Sequence, residues 1–218
     1  MRINKFVARA TGLSRRAADQ AITEGRVTID GRLAVPGDDV VETTAVKLDG
    51  QNLVLPASSM TIILNKPVGY VSSRQGQGSR TIYDLLPPEL HHLKPVGRLD
   101  KDSSGLLLLT DDGELADKLT HPRYAKTKVY QIELNKPLSA TDRQRIETGV
   151  KLGDGLSKLA LRQLSDARHW EVTMTEGRNR QIRRTFATCG YTVTKLHRTQ
   201  FGPYTINELQ SGSYKEIQ

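Results

Sequence analysis

Four consecutive leucines, Leu106-Leu107-Leu108-Leu109, follow a turn crowded with charge, Gly97-Arg98-Leu99-Asp100-Lys101-Asp102-Ser103-Ser104-Gly105. They run into a second polar turn, Thr110-Asp111-Asp112-Gly113. A strand sends alternate side chains to opposite faces, so an unbroken apolar run reads as a strand covered on both sides. That requires a layered domain with elements packed on each face of a sheet. The run is far too short to cross a bilayer, which takes about 20 apolar residues. A chain of 218 residues can supply the layers, since at that size roughly 70% of the unfolded surface is buried on folding. The lone cysteine, Cys189, excludes a disulfide framework and a Cys-based zinc site. Met1-Arg2-Ile3-Asn4-Lys5-Phe6 lacks the apolar stretch of a secretory signal, so a cytoplasmic protein without a membrane partner is expected.

The first fifty residues read as a separate basic module. Ile3, Phe6, Val7 and Ala10 recur at helical spacing, and Gly12 is placed to end that helix in a left-handed conformation. Ser14 can cap a second helix with Ala17, Ala18, Ala21 and Ile22 on its apolar face, stopped by Gly25. Val27-Thr28-Ile29 alternates like a strand, and Asp30-Gly31 is a hairpin signal. Residues 1–48 are therefore expected to be a helix–helix–hairpin module, 49–60, with Pro56-Ala57-Ser58-Ser59, a linker, and 61–218 a second domain. In that domain strands are expected at 61–64, 69–72, 105–110, 128–134, 157–164 and 169–175, and helices at 113–119, 139–149 and 180–189. The fold class is α+β with a mixed, mainly antiparallel sheet flanked by helices.

Lys and Arg total 32 against 24 Asp and Glu, a formal charge of +8. Residues 1–32 hold seven basic and three acidic side chains, and from Gly177 to Asn207 there are six Lys or Arg and no acid. The two stretches carry more than the whole excess. Charge of that kind is either a solvated face or a surface for a polyanion, with nucleic acid ahead of membrane. On a helix at 180–189, Arg180, Arg183 and Arg184 share one arc, and Ile182, Phe186 and Cys189 the other. The helix is expected to pack one arc on the core and present three guanidinium groups on the other.

Most catalytic signatures are missing. There is no GxxxxGK[ST] loop, no GxGxxG after a strand and no GxSxG elbow, and His91-His92 lacks neighbours at metal-ligand spacing. Asp100 stands at the mouth of the buried strand between Arg98 and Lys101. A carboxylate there is either a positioned active-site acid or a turn residue bonded to backbone amides.

The 97–113 stretch resembles the catalytic motif of the RsuA-type pseudouridine synthases, the bacterial ribosomal-RNA group. Leu64-Asn65-Lys66-Pro67-Val68-Gly69 is similar to that family's first motif, Lys128-Val129-Tyr130 to its tyrosine motif, and Glu176-Gly177-Arg178-Asn179-Arg180-Gln181-Ile182-Arg183-Arg184 to its arginine motif. Residues 1–48 resemble the S-four RNA-binding domain. The resemblance spans nearly the whole chain and implies conversion of uridine in RNA to pseudouridine. The wording at 177–184 is more similar to the large-subunit members, which points to 23S rather than 16S RNA. Substrate and product contain the same atoms, so no cofactor or metal is implied.

By this resemblance Asp100 is the catalytic carboxylate, as nucleophile or base, Arg183 its cationic partner, and Tyr130 the ring that stacks on uracil. Tyr130 also shares a strand face with Ile132 and Leu134, which gives it a core reading, and the Lys-x-Tyr match favours the stacking role. Leu196 resembles the apolar residue against the base, and Arg98, Arg180 and Arg184 are the other candidates for holding the nucleotide. Arg9, Arg15, Arg16, Arg26, Lys66, Arg178, Lys195 and Arg198 are candidates for wider RNA contact. The expected partner is ribosomal RNA or a pre-ribosomal particle, bound by a monomer. Two other readings stand beside this one: a non-catalytic RNA-binding or ribosome-assembly factor of the same fold, and a glycoside hydrolase using Asp100 and Asp102.

Overall fold

The structure, a computed structural model, describes residues 1–41, 43–56 and 58–217. They form two compact units, Met1–Met60 and Thr61–Gln218. In the first, α1 (Ile3–Thr11) ends on Gly12 at φ 75°, and α2 (Arg15–Thr23) starts at Ser14, whose Oγ accepts from Ala17 N at 3.1 Å. Ile3, Phe6 and Val7 pack with Ala18, Ala21, Ile22, Val27 and Ile29 in one core. β1 (Val27–Ile29) and β2 (Arg32–Leu33) close over Asp30 and Gly31, both at positive φ as a type I′ hairpin requires. β3 (Val46–Leu48) takes the other edge of β1, and β4 (Gln51–Asn52) pairs with β3. The stretch expected as a linker from 49 therefore begins inside this sheet. Asp49-Gly50 is the same Asp-Gly signal as Asp30-Gly31, with both residues again at positive φ. Leu53 and Leu55, beyond β4, pack on the same core.

The second unit runs β5 (Thr61–Lys66), β6 (Lys94–Pro95), β7 (Ser104–Thr110), α3 (Gly113–Thr120), β8 (Lys128–Leu134), α4 (Ala140–Thr148), β9 (Val150–Leu152), β10 (Gly155–Ser157), β11 (Ala160–Gln163), β12 (His169–Met174), α5 (Gln181–Thr188), β13 (Val193–Phe201), β14 (Tyr204–Thr205) and β15 (Tyr214–Ile217). The main sheet has the order β11-β12-β8-β13-β7-β5-β15, with β14 on β13 and β6 on β7. Among the described strand pairs of this sheet, β13 and β7 run parallel and the others antiparallel. Leu106 to Leu109 are all fully buried, as a strand covered on both faces demands. No helix among the described residues is long and apolar enough to cross a membrane.

Two expectations are corrected, and one strand is added. The 69–72 segment is not a strand: Gly69 turns the chain at φ 91°, and only Val71 bridges, to Thr81. The 157–164 strand is two strands, because β10 folds back on β9 whereas β11 pairs with β12. The long strand β13 went unrecognised. Its buried residues Val193, Leu196, Arg198 and Phe201 do not alternate strictly, because register shifts fall between Val193 and Lys195 and between Arg198 and Gln200. The parallel seam depends on Gly105, at φ 105°. A Cβ there would meet the backbone nitrogen of Arg198 at 2.6 Å and lie closer still to its carbonyl oxygen.

Candidate active site

The turn carrying Asp100 is held from below by its own backbone. Leu99 N donates to Ser72 Oγ at 3.2 Å, and that hydroxyl donates to Leu99 O at 2.9 Å. Ser103 N donates to Asp100 O at 3.1 Å and Gly69 N to Lys101 O at 2.7 Å. Lys66, at the end of β5, donates from Nζ to Ser103 O at 2.7 Å and to Pro67 O at 2.8 Å. Lys66 was expected on an RNA-facing surface. It is instead fully buried beneath the turn, because β5 is covered on both faces. Burial pushes its pKa down to about 8, against the opposing pull of Asp100 and Asp102.

Arg180 stands above the turn. Its fork grips Asp102, Nη1 to Oδ1 at 2.9 Å and Nη2 to Oδ2 at 2.8 Å, and Nη1 lies 3.5 Å from Asp100 Oδ2. Arg180 is held in the left-handed region, φ 46°, as the residue before α5, a conformation that costs a non-glycine residue about 1 kcal/mol or more. Its hydrogen bonds hold the Asp102 carboxyl below the usual range. Arg183, the expected partner of Asp100, is placed differently. Its Nη2 donates to Asp102 O at 2.8 Å, its Nη1 to Val193 O at 2.5 Å, and its Nε lies 3.3 Å from Asp102 Oδ2. The cation nearest Asp100 is Arg180. Nor does α5 present three guanidinium groups to solvent, since the Arg183 side chain is only 14% exposed.

Beside the turn opens a cleft of about 640 Å³. Tyr130, Met174, Leu196, Arg198 and Phe201 line it from the sheet, Arg98 and Asp100 from the turn, and Glu176 to Ile182 from the loop and first residues of α5. A space of that size takes a nucleotide. Tyr130 and Leu196 are buried and yet border the cleft, so their core and cleft readings coincide. Tyr130 lies opposite Arg198 in the register of β8 and β13. Arg98 is exposed on the cleft wall with no protein hydrogen bond among the described residues.

Several expected RNA contacts are spoken for. Arg198 is 2% exposed, with Nε donating to Leu106 O at 2.8 Å; it faces the cleft and not the outer surface. Arg178 donates to Asp154, Glu176 and Leu156 O, and Arg184 to Asp154 and Asn179 O. Arg184 lies outside the cleft lining. Lys195 is exposed and pairs with Glu133 at 2.7 Å. Five of the six cations in the acid-free run thus meet acids from outside it, and Arg198 does not. In the first unit Arg26 is forked on Asp49, at 2.9 and 2.6 Å, and Arg9 donates to Ser59 Oγ. Arg15 and Arg16 are exposed, without a partner among the described residues. Lys128 was passed over although it stands in the quoted Lys-x-Tyr motif. It lines the cleft and donates to Glu176 O at 3.2 Å.

The sequence profile of the RNA pseudouridylate synthase family matches residues 60–188, and that of the S4 domain matches residues 1–50. The chain belongs to the RNA pseudouridine synthases. The synthase is 36% identical to an uncharacterised RNA pseudouridine synthase of Aquifex aeolicus, over 100% of this chain and 90% of that one. It is 35% identical to ribosomal small subunit pseudouridine synthase A of Yersinia pestis, covering 100% and 94%. It is 33% identical to ribosomal large subunit pseudouridine synthase B of Bacillus subtilis, covering 99% and 91%. A solved pseudouridylate synthase superposes with a TM-score of 0.71 at 30% identity, covering 100% of this chain and 96% of that one. The synthase is accordingly an isomerase with an RNA-binding S-four domain at residues 1–50.

Proposed function

We propose that the synthase isomerises one or more uridines of ribosomal RNA, those of the 23S RNA by the wording of residues 177–184, with Asp100 as the catalytic carboxylate. The observation that carries this reading is the Asp100 side chain on the wall of a nucleotide-sized cleft, on a backbone-anchored turn, with Arg180 3.5 Å away and Tyr130 on the cleft floor. In either role, nucleophile or base, the carboxylate faces the Arg180 guanidinium across 3.5 Å. The two carboxylates of the turn are not equivalent. Asp102 is consumed by its fork with Arg180, which argues against a hydrolase using Asp100 and Asp102 as an acid–base pair.

Uracil and its ribose are reached only when the nucleotide is unpaired or extruded, at a cost of about a few kcal/mol. The basic first unit, with Arg15 and Arg16 exposed, supplies a second grip on the RNA, and two linked grips gain affinity through effective concentration. The synthase works on this reading as a cytoplasmic monomer on ribosomal RNA or a pre-ribosomal particle.

The test uses ribosomal RNA carrying tritium at C5 of uridine, where pseudouridine formation releases the label to water. Wild type is expected to release label and Asp100→Asn to release none, with RNA affinity within about threefold. Release by Asp100→Asn at the wild-type rate would remove Asp100 from the chemistry. Absence of release by wild type would favour the non-catalytic assembly factor. Mapping pseudouridines in cells lacking the protein identifies the RNA; loss from 16S alone overturns the 23S assignment, which the small-subunit relative at 35% identity makes the alternative.

A further inference from the structure

Arg198 is a buried cation without a counter-ion. It is 2% exposed, and its Nε is taken by Leu106 O at 2.8 Å. Neither terminal nitrogen meets a protein acceptor among the described residues, and Nη2 is sealed from solvent as well. A guanidinium in such a place is normally matched by a carboxylate, since an unpaired buried charge is strongly disfavoured. A second cation makes matters worse. Lys128, on the adjoining strand, also lines the cleft, and its pKa is lowered by burial and by Arg198 itself. Both cations lie over the ring of Phe201, Arg198 Cζ at 4.8 Å and Lys128 Nζ at 5.5 Å from its centroid. The charge of Glu176 opposes the Lys128 shift, but its carboxylate is engaged by Arg178 and Gln181, and the hydrogen bond from Lys128 goes to its backbone carbonyl. On the floor of the cleft neither Arg198 nor Lys128 forms an ion pair among the described residues.

The side chain is held firmly. β13 and β7 meet in parallel at Arg198 and Gly105, and the absence of a side chain at 105 lets the two backbones approach. The bond to Leu106 O fixes the guanidinium from the strand that the Asp100 turn enters. Tyr130 is its register partner on β8.

The isomerisation generates the missing anion. When the bond from uracil N1 to ribose breaks, its electron pair stays with the base and the negative charge spreads over N1, O2 and O4. The pair is returned when C5 bonds to the sugar carbon, the C5 proton leaves to water and N1 takes up a proton. We propose that Arg198 is a catalytic residue that donates from its terminal guanidinium nitrogens to a uracil carbonyl oxygen, O2 or O4, and stabilises the charge on the detached base, with Lys128 reinforcing the field. This rests on the cleft being the uridine site. The cation is preorganised and desolvated before the reaction, the condition under which such a contact counts most.

The experiment measures single-turnover tritium release from ribosomal RNA, whole and with 2-thiouridine or 4-thiouridine at the target, for wild type and Arg198→Met. Sulfur is a poor hydrogen-bond acceptor, so wild type is expected to slow with sulfur at one of the two positions. Arg198→Met is expected to release label about 100-fold more slowly, to bind the RNA within about threefold of wild type, and to show no further loss with the same thio-uridine. Arg198→Lys, which keeps the charge, should recover part of the rate. The proposal is overturned if wild type tolerates sulfur at both positions, a result that needs no variant to fold. It is also overturned if Arg198→Met keeps the full sulfur penalty, or if its loss is in RNA affinity, which would make Arg198 a phosphate contact. Label release by wild type shows that the pseudouridine reading survives either failure.

Discussion

Replacing Lys66 by methionine separates what this buried charge does to stability from what it does for the turn carrying Asp100. Its pKa of about 8 lies well under the ordinary lysine value of 10.5. Below pH 8 both folded and unfolded chains carry the proton, and enclosing the charge costs about 3 kcal/mol. Between pH 8 and 10.5 the unfolded chain holds a proton the folded chain lacks, so stability rises by about 1.4 kcal/mol per pH unit and the penalty is relieved. Against this, Nζ donates to Ser103 O and Pro67 O, and orphaning a buried carbonyl costs about 1–3 kcal/mol. The two effects nearly offset at pH 7, where Lys66→Met is expected within about 2 kcal/mol of wild type. By pH 10 wild type should have gained about 2.5 kcal/mol on the variant. Urea unfolding followed through Trp170, the one tryptophan, buried in the second unit, reads that unit directly. Subtracting variant from wild type removes every other titrating group. Parallel stability–pH curves would refute the argument. Because the lost bond anchors Ser103 beside Asp100, label release at pH 7 should also slow about 10- to 100-fold while stability hardly changes.

Other consequences are as open to test. Gly105→Ala places a Cβ against the Arg198 backbone at a φ of 105°, and thermal denaturation should show a loss of about 3 kcal/mol or more. Arg180→Met removes the fork on Asp102 and the cation nearest Asp100, so single-turnover release should fall about 100-fold. The carboxyl of Asp102 is held low by Arg180, so the stabilisation is present at neutral pH and lost as acid protonates it; Asp102→Asn should flatten that acid limb in urea titrations. Arg15→Ala with Arg16→Ala should lower the salt slope of RNA binding by about 1.5, measured by filter binding against KCl. Arg26→Ala, already neutralised by Asp49, should change it less.

Much of this fold is written in local signals. Gly12, Ser14 and Asp30-Gly31 each act within a few residues, and helix, cap and hairpin formed where they stand. The leucine run demanded a two-sided sheet for the same reason, since burial on both faces is a property of one strand. The motifs at 64–69, 97–113, 128–130 and 176–184 carried the family, and Asp100, Tyr130 and Leu196 do border one cleft. β13 was missed because its register shifts break the period by which a strand is recognised.

What the sequence by itself determined is the inventory: two units, a doubly covered strand, and an excess of arginine in two stretches. Tertiary structure alone decided the partners. Arg180 reaches Asp102 across 78 residues of chain, Arg184 reaches Asp154 across 30, and Arg198 reaches Leu106 across 92. That is why a run without acids is not a bare cationic face, why Arg180 and not Arg183 stands nearest Asp100, and why Lys66 and Arg198 lie inside the protein. Helical phase and charge are summed along the chain, whereas an ion pair depends on which strands become neighbours. Burial, which turns a lysine or an arginine from a surface charge into an interior one, is set by the layers that close over it.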